Sequence, residues 1–334
     1  MKKTNLFAIL TLAATPAFLH AQITSYSDIV GYQTKTISTG LNAVGLPLLN
    51  SDLVKTSASS FAGSSVTLAG ETNFGSKLNS AKSYYLEVYS GVLKGDRFDL
   101  DTAATIAAAN GTAVLNSASA NNTYPAASIA AQLDGANIAI REHITLAQLE
   151  SMSSTPLLGS SSLASSDSVA FVEGGSLVYY YKKGDGGWRR TGSSADFSTK
   201  VIPPGVGVFV KKVTSGTTLT QSGSVRDNDF ARPYSSGLSL VAAGYPLDRS
   251  PSGIGVTPGA GATDWTGGTP ATGDSISLIE GSSLVRYTLK PDGSLNKVGN
   301  SSDFRNSTII SATDSQFIKR GRANADNVEV DPVP

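Results

Sequence analysis

An internal repeat constrains the fold of this chain more than any other feature of the sequence. Residues 167–197, DSVAFVEGGSLVYYYKKGDGGWRRTGSSADF, recur as residues 274–304, DSISLIEGSSLVRYTLKPDGSLNKVGNSSDF, at an offset of 107 with no gap. About half of the aligned positions are identical, and the match continues more loosely from residues 208–212 to residues 316–320. The length of the match indicates two copies of one folding unit.

Each copy predicts a β-hairpin. The segments KGDGG at residues 183–187 and KPDGS at residues 290–294 are equivalent. Pro-Asp-Gly favours a tight turn, because Pro presets φ, Asp bonds back to the backbone and Gly accepts a positive φ. Residues 177–182 are then the incoming strand of the first hairpin. A weaker echo links GLNAVGLPL, from Gly40, with GLSLVAAGYPL, from Gly237, and is short enough to arise by chance.

Comparison of the two copies predicts which strand face is buried. Strand side chains alternate between faces. Val178 and Tyr180 are conserved in character in the second copy, which predicts that they face the core. Tyr179 and Tyr181 are replaced there by polar residues, so their face is expected to meet solvent. Trp188 is replaced by leucine, which favours a core position for the indole.

The rest of the chain has the pattern of an all-β protein, with short apolar runs that end in clusters of Gly, Ser, Asn and Pro. Further strands are predicted at residues 28–37, 41–49, 84–89, 97–100 and 136–140. Asn110-Gly111 predicts a hairpin within residues 105–115. Thr145 is the expected N-cap of one short helix. The predicted fold is all-β, with duplicated sandwich or barrel-like units, hairpins and this helix.

The N-terminus predicts an export signal. Lys2 and Lys3 precede an apolar run at residues 6–19, and a small-residue cleavage site, LHA, precedes Gln22. The run is shorter than the ~20 residues of a membrane span, so no transmembrane segment is expected after its removal. We expect an exported protein that is periplasmic, bound to the cell surface or secreted.

The repeat and the signal together suggest a division of the chain. The predicted parts are a signal peptide at residues 1–21, an N-terminal β domain at 22–137, a β repeat unit with the short helix at 138–235, and a second β repeat unit at 236–334.

Composition excludes several functions. The chain has no cysteine, which excludes disulfides, thiolate metal sites and cysteine nucleophiles. Its 26 basic and 26 acidic residues balance, and 16% of the residues are charged. Nucleic-acid binding needs a concentrated basic face, so no nucleic-acid partner is expected. Polysaccharide, envelope components or further copies of the chain are the expected partners.

Two acidic stretches could hold calcium or support glycoside hydrolysis. They are GDRFDLD, with Asp96, Asp99 and Asp101, and VRDND, with Asp227 and Asp229. Neither has the Asp-x-Asn-x-Asp-Gly spacing of a calcium-binding loop, so no cofactor is expected, with calcium as the one alternative. His143, the single histidine after the signal, is expected to be a satisfied strand-end residue, because no Gly-x-Ser-x-Gly motif accompanies it.

Aromatic residues supply the candidate ligand site. Tyr179 and Tyr181 on the expected open face, with Arg189 nearby, could stack on a sugar and hydrogen-bond to it. Tyrosine is also simply favoured in half-exposed strands. Trp188 and Trp265 are further candidates, the latter in the Gly-rich segment GATDWTGG, although an isolated tryptophan there could equally be a packing anchor.

The order of several motifs resembles a known family. These are DIVGYQTKTI, YYLEVYSGVLKGDRFDLD, IREHITLAQL, YYYKKGDGGW and VIPPGVGVFVKK. In this order they resemble an uncharacterised family of exported, repeat-containing β-rich proteins of verrucomicrobial and related bacteria. The resemblance covers most of the chain after the signal. It implies an exported β protein and carries no catalytic residues.

The sequence therefore predicts a non-enzymatic, exported structural or interaction protein of the bacterial envelope or exterior. One alternative is a carbohydrate-binding module that uses the exposed aromatic residues. The other is a hydrolase that uses the carboxylates of GDRFDLD.

Overall fold

The computed structural model describes residues 29–123, 132–233, 237–259, 265–280, 283–320 and 328–331. The predicted signal peptide, residues 1–21, lies outside these ranges. Within them the chain forms mostly β-strands, and the strand pairs are antiparallel, which confirms the all-β prediction. No helix in this part of the chain is long and apolar enough to cross a membrane.

The first half of the chain builds a six-stranded sheet. Its elements are β1 (Val30–Ile37), β2 (Gly40–Val44), β3 (Asp52–Ala62), β4 (Ser65–Leu68), β5 (Tyr84–Val88), β6 (Arg97–Asp99), α1 (Thr102–Ala107), β7 (Thr112–Val114), β8 (Asn137–Glu142), β9 (Ile144–Thr145) and α2 (Leu146–Ser151). The strand order is β6-β5-β8-β3-β4-β7, and one face covers an apolar core that includes Phe74, Phe98 and Ile140.

The first repeat unit forms a five-stranded sheet. Its elements are β10 (Ser168–Glu173), β11 (Ser176–Lys182), β12 (Trp188–Arg190), β13 (Val201–Ile202), β14 (Val208–Lys212) and β15 (Thr217–Ser224). The order is β12-β11-β10-β14-β2, so a strand from the range predicted as the N-terminal domain completes this sheet. The remaining strands of this unit, β13 and β15, pair with β9 and β1.

The second repeat unit has the same strand order. Its elements are β16 (Phe230–Pro233), β17 (Gly237–Ala242), a 3-10 turn (Ser252–Ile254), β18 (Ser275–Glu280), β19 (Ser283–Leu289), β20 (Leu295–Lys297), β21 (Ser315–Arg320) and β22 (Val328–Asp331). The sheet order is β20-β19-β18-β21-β17. β17 thus takes the place that β2 holds in the first sheet, and these are the strands of the weak sequence echo at Gly40 and Gly237.

Both predicted hairpins are present, with the same register. Ser168 lies opposite Tyr181 in the first, and Ser275 lies opposite Thr288 in the second. Tyr180 and Trp188 are buried, at 2% and 0% exposure, as predicted from the tyrosine and the leucine at the equivalent positions of the second copy.

A buried ion pair also recurs in the two units. Asp167 pairs with Lys212, and Asp274 pairs with Arg320. All four side chains are at most 3% exposed. Each pair ties β14 or β21, the strand that follows the hairpin along the chain, to the residue just before the first strand of that hairpin.

The two five-stranded sheets pack against each other. Ala43, Ala170 and Phe209 from one sheet meet Leu240 from the other in one apolar cluster, and the rings of Phe209 and Phe317 lie 5.4 Å apart. The expected solvent face of β11 is therefore partly covered. The sequence could not show this, because packing between the units depends on residues from both.

The sheets also exchange main-chain hydrogen bonds. Ala242 donates to Gly205 across 2.9 Å, and Gly45 donates to Thr313 across 2.9 Å. The end of β17 is thus bonded to the loop before β14, and the residue after β2 is bonded to the loop before β21. The two repeat units are thus linked in a reciprocal way.

The helix predictions need one correction. α2 begins after Thr145 with a complete capping box, as expected. The hairpin predicted within residues 105–115 is wrong, because α1 occupies Thr102–Ala107. Asp101 caps this helix, and Asn110 and Gly111 use φ values of 57° and 62° to connect it to β7. The described chain therefore has two short α-helices instead of one.

Candidate functional site

Several polar motifs of the sequence converge on one face of the six-stranded sheet. Tyr85 lies opposite Asp99 on β6 and Arg141 on β8, and Glu87 lies opposite Arg97. Opposed residues of antiparallel strands point to the same side, so these side chains share a face. The other face carries the apolar core. Charged residues inside otherwise apolar strands are the sequence signal that could have identified this cluster.

Glu87 is at the centre of the cluster. Its carboxylate is fully buried and forms ion pairs with Arg141, at 3.3 Å, and with Arg226. Arg141 also donates to the carbonyl of Asn50 at 2.7 Å and to the hydroxyl of Tyr89 at 2.6 Å. A buried charge is tolerated only when it is paired and hydrogen-bonded, as it is here.

Phe230 joins this cluster to both repeat units. Its ring is fully buried, and the guanidinium groups of Arg97 and Arg226 each lie 4.4 Å from the ring centroid. A Cβ added to Gly205 or Gly244 would come within 2.4 Å of a ring atom. Only glycine allows the two loops to approach so closely.

Buried His143 pairs with the half-buried Asp99 at the edge of the cluster. His143 Nε2 lies 2.7 Å from Asp99 Oδ1, and the centroids of the imidazole and the Tyr85 ring lie 4.7 Å apart, with the rings tilted by 41°. Ser119 Oγ and Asn121 Nδ2 donate to Asp99 Oδ2 at 2.6 and 2.8 Å. Burial tends to raise the pKa of Asp99, but these hydrogen bonds and the imidazole lower it overall.

The contacts of this pair differ from those of a hydrolytic triad. In such a triad the serine hydroxyl bonds to the imidazole, whereas Ser119 bonds to the carboxylate. His143 Nδ1 is buried and has no hydrogen-bond partner among the described residues. The expectation of a satisfied histidine therefore holds for one ring nitrogen and not for the other.

The other carboxylates considered for calcium have separate roles. Asp101 caps α1, and Asp227 and Asp229 form ion pairs with lysines at 3.7 and 3.2 Å. Asp96 is buried, which raises its pKa to about 6 although Thr123 and Arg97 act in the opposite direction. Among the described residues, no three His, Cys, Asp or Glu side chains are arranged to hold a metal.

The two tryptophans present no surface to a ligand. Both side chains are fully buried. Trp188 donates from Nε1 to Glu150 at 3.2 Å, and the Trp265 ring lies 5.0 Å from the Arg320 guanidinium. The Gly-rich segment around Trp265 therefore folds its indole into the core of the second unit, as a packing anchor.

Tyr179, Tyr181 and Arg189 lie nearer the surface. Both tyrosines are half-buried, and Tyr179 packs against the cluster between the repeat units. Arg189 forms ion pairs with Asp185 at 3.1 Å and Asp196 at 3.4 Å. The guanidinium is therefore engaged within its own hairpin.

Tyr179 also lines an open groove of about 590 Å³. Leu41, Leu163 and Lys211 form other parts of its wall. An aromatic ring, apolar side chains and a lysine suit the face of a sugar ring. Of the aromatic residues predicted for a ligand site, only Tyr179 lines this groove.

A cleft of about 410 Å³ lies where the three sheets meet. Arg97 and Asn121 line it from the six-stranded side, Gly174 and Pro204 from the first unit and Ser239 from the second. The sequence did not predict this cleft, because its walls come from three separated segments. It adjoins the buried charged cluster through Arg97, which belongs to both.

Comparisons of the chain with protein-family models, with curated proteins and with solved structures found no match. The resemblance to an exported, repeat-containing family therefore remains a prediction from the motifs alone. What can be inferred about function comes from the residues of the charged cluster, the groove and the cleft.

Proposed function

We propose that the protein is a non-enzymatic, exported structural or interaction component of the bacterial envelope or exterior. One observation carries this proposal: the buried charges are bonded to each other and join three sheets. Glu87 lies between two arginines, and Phe230 lies between Arg97 and Arg226 at the junction with both repeat units. Charged groups that are buried and paired with each other stabilise an assembly of sheets.

The duplicated architecture supports the same proposal. Each repeat unit carries the same hairpin and the same buried ion pair, with Asp167 in one and Asp274 in the other. Duplication of a packed unit builds a larger scaffold without a new fold. The predicted export signal and membership of the exported family that the motifs resemble are parts of this proposal.

Fractionation of producing cells tests the proposal. We expect the native protein to sediment with envelope or extracellular matrix, and the purified protein to be retained by isolated envelope with or without calcium. Protein found only free in the culture medium, and not retained by envelope, would contradict a structural role. Release of reducing ends from a glycan, abolished by Asp99→Asn, would instead indicate a hydrolase.

Carbohydrate recognition is a second candidate, supported by the groove beside Tyr179. In this case an insoluble polysaccharide would retain the protein, and Tyr179→Ala would abolish retention because the stacking surface is lost. Arg286→Ala, at the equivalent position of the second unit, is the matched control and should bind normally. Equal retention of the wild type and Tyr179→Ala would remove this site from consideration.

A further inference from the structure

At eight residues, β1 is longer than the edge strands β2, β6, β7, β12, β16, β20 and β22 of the described chain. Strands β6, β7, β12 and β20 are edge strands of three residues each. β17 is longer, but its edge is bonded to the loop at Gly205 and Gly207. β15 is bonded at its outer edge to Leu49, Met152 and Ser154. Among described residues, no backbone hydrogen bond reaches the outer edge of the eight-residue β1.

The main-chain groups on this edge can be identified. Val225 donates to the carbonyl of Ile29, which shows that Ile29 points its main-chain groups toward β15. In an antiparallel strand the direction alternates from residue to residue. The N–H and C=O groups that point outward therefore belong to Val30, Tyr32, Thr34 and Thr36.

Proteins usually protect a long edge strand with a proline, a bulge or a charge. β1 has no proline, and its pairing with β15 is regular over all eight residues. Its only charged residue, Lys35, points to the inner face and forms an ion pair with Asp314. A neighbouring strand would therefore not bury an unpaired charge.

We infer that β1 pairs with β1 of a second copy of this chain, antiparallel and centred on Gln33. In this register Val30 lies opposite Thr36 of the second copy, and Tyr32 lies opposite Thr34. All four outward residues then exchange main-chain hydrogen bonds with outward residues of the second copy.

The side chains of the strand favour the same occupant. Val30 and Tyr32 are 71% and 69% exposed, and they share an uncharged face with Thr34 and Thr36. An uncharged strand can approach an identical strand without repulsion. A charged partner strand would find no complementary charge on this face. The result is a continuous four-stranded ribbon, β15-β1-β1-β15, across a two-fold axis.

Light scattering of the full-length protein, expressed for export, tests this inference. We expect a dimer that Thr34→Pro converts to a monomer, because Pro removes an outward N–H while every bond to β15 remains. Thr34→Val keeps the N–H and is the matched control, which should remain dimeric. A wild-type monomer, or a Thr34→Pro variant that still dimerises, would overturn the inference.

Crosslinking gives an independent test that does not need the proline variant to fold. The chain has no cysteine, so single-cysteine variants report one position each. Opposed residues at a site without main-chain hydrogen bonds have Cα atoms about 4.5 Å apart, within disulfide range. Gln33→Cys should therefore form a covalent dimer in preference to Tyr32→Cys or Thr34→Cys. Preference for either of these would overturn the register, and absence of all three dimers would overturn the interface.

Hydrogen exchange distinguishes the other possible occupants. Protection of the Tyr32 and Thr34 amides in a monomer would assign the edge to another segment of the same chain and contradict the inference. The outcome is independent of the proposed envelope role, which fractionation tests separately.

Discussion

At the scale of single residues, Glu87 is buried between two arginines that share its carboxylate. Glu87→Gln removes the negative charge that compensates the two buried guanidinium groups. We therefore expect a loss of about 3–5 kcal/mol in the free energy of unfolding. Chemical denaturation measures this loss. Glu71→Gln removes an ion pair with Lys77 near the surface and should cost less than about 1 kcal/mol. Similar losses in both variants would contradict the central role of Glu87.

Asp96 gives a prediction about pH. Burial raises its pKa from 3.8 to about 6 in the folded protein. Between these values the folded state binds more protons than the unfolded state, so stability falls as the pH rises from about 4 to about 6. Asp96→Asn removes this penalty, and we expect it to be more stable at pH 7 by up to about 3 kcal/mol.

Unfolding free energies of the wild type and Asp96→Asn, measured from pH 4 to pH 7, check this expectation. The gap between the two proteins should widen as the pH rises through this range. A constant gap would show that Asp96 titrates at the same pH in the folded and unfolded chains.

At the scale of elements, the recurring ion pair predicts equivalent effects in the two units. Asp167 accepts hydrogen bonds from Leu158 and Val213, at 2.7 and 2.8 Å, besides pairing with Lys212. Asp167→Asn should therefore release the loop before β10 and leave a buried lysine unpaired. We expect a loss of about 3–5 kcal/mol.

The second unit supplies the matched comparison. Asp274 accepts from Thr266 at 2.8 Å and pairs with Arg320, so Asp274→Asn should have an effect of similar size. Hydrogen exchange should place the two effects in the corresponding loops. Asp292→Asn, in an exposed turn, should leave both loops protected, and unchanged exchange in the first two variants would contradict the prediction.

Element prediction succeeded where local chemistry decides the structure. The turn KPDGS and the N-cap Thr145 act within a few residues, and the hairpins and α2 form as expected. Asn110-Gly111 indicated a turn correctly, but the element before it is a helix. The cap by Asp101 and the hydrogen bond from Val114 to the Thr105 hydroxyl stabilise α1 instead of a strand.

At the scale of the whole molecule, Phe230 links the six-stranded sheet to both repeat units. Phe230→Ala leaves a cavity between Gly205 and Gly244 and exposes two arginines to it, so we expect a loss of about 3–5 kcal/mol. Because the junction is weakened, the sheets should also unfold less cooperatively. Calorimetry measures this as a fall in the van't Hoff enthalpy relative to the calorimetric enthalpy.

The control for this variant lies within a single unit. Phe304 packs edge-on against Tyr287 in the second repeat, so Phe304→Ala should lower stability without separating the six-stranded sheet from the repeats. If Phe230→Ala lowers stability but leaves the ratio of enthalpies unchanged, Phe230 does not couple the sheets.

The sequence by itself determined the all-β class, the duplication, the hairpin turns and the buried side of β11 at Tyr180. These depend on local turn chemistry, on strand alternation and on the comparison of two copies, all of which can be read along the chain. The same comparison could not decide whether Tyr179 meets solvent, because that depends on what the rest of the molecule places against it.

Only the tertiary structure decided which distant residues meet. β2 and β14 pair across more than a hundred residues, and Glu87 and Arg226 meet across a comparable separation. Trp265 lies in a Gly-rich segment, yet its indole is buried. Contacts of this kind result from packing that buries apolar surface and neutralises charge throughout the molecule, and no short window of sequence contains both partners.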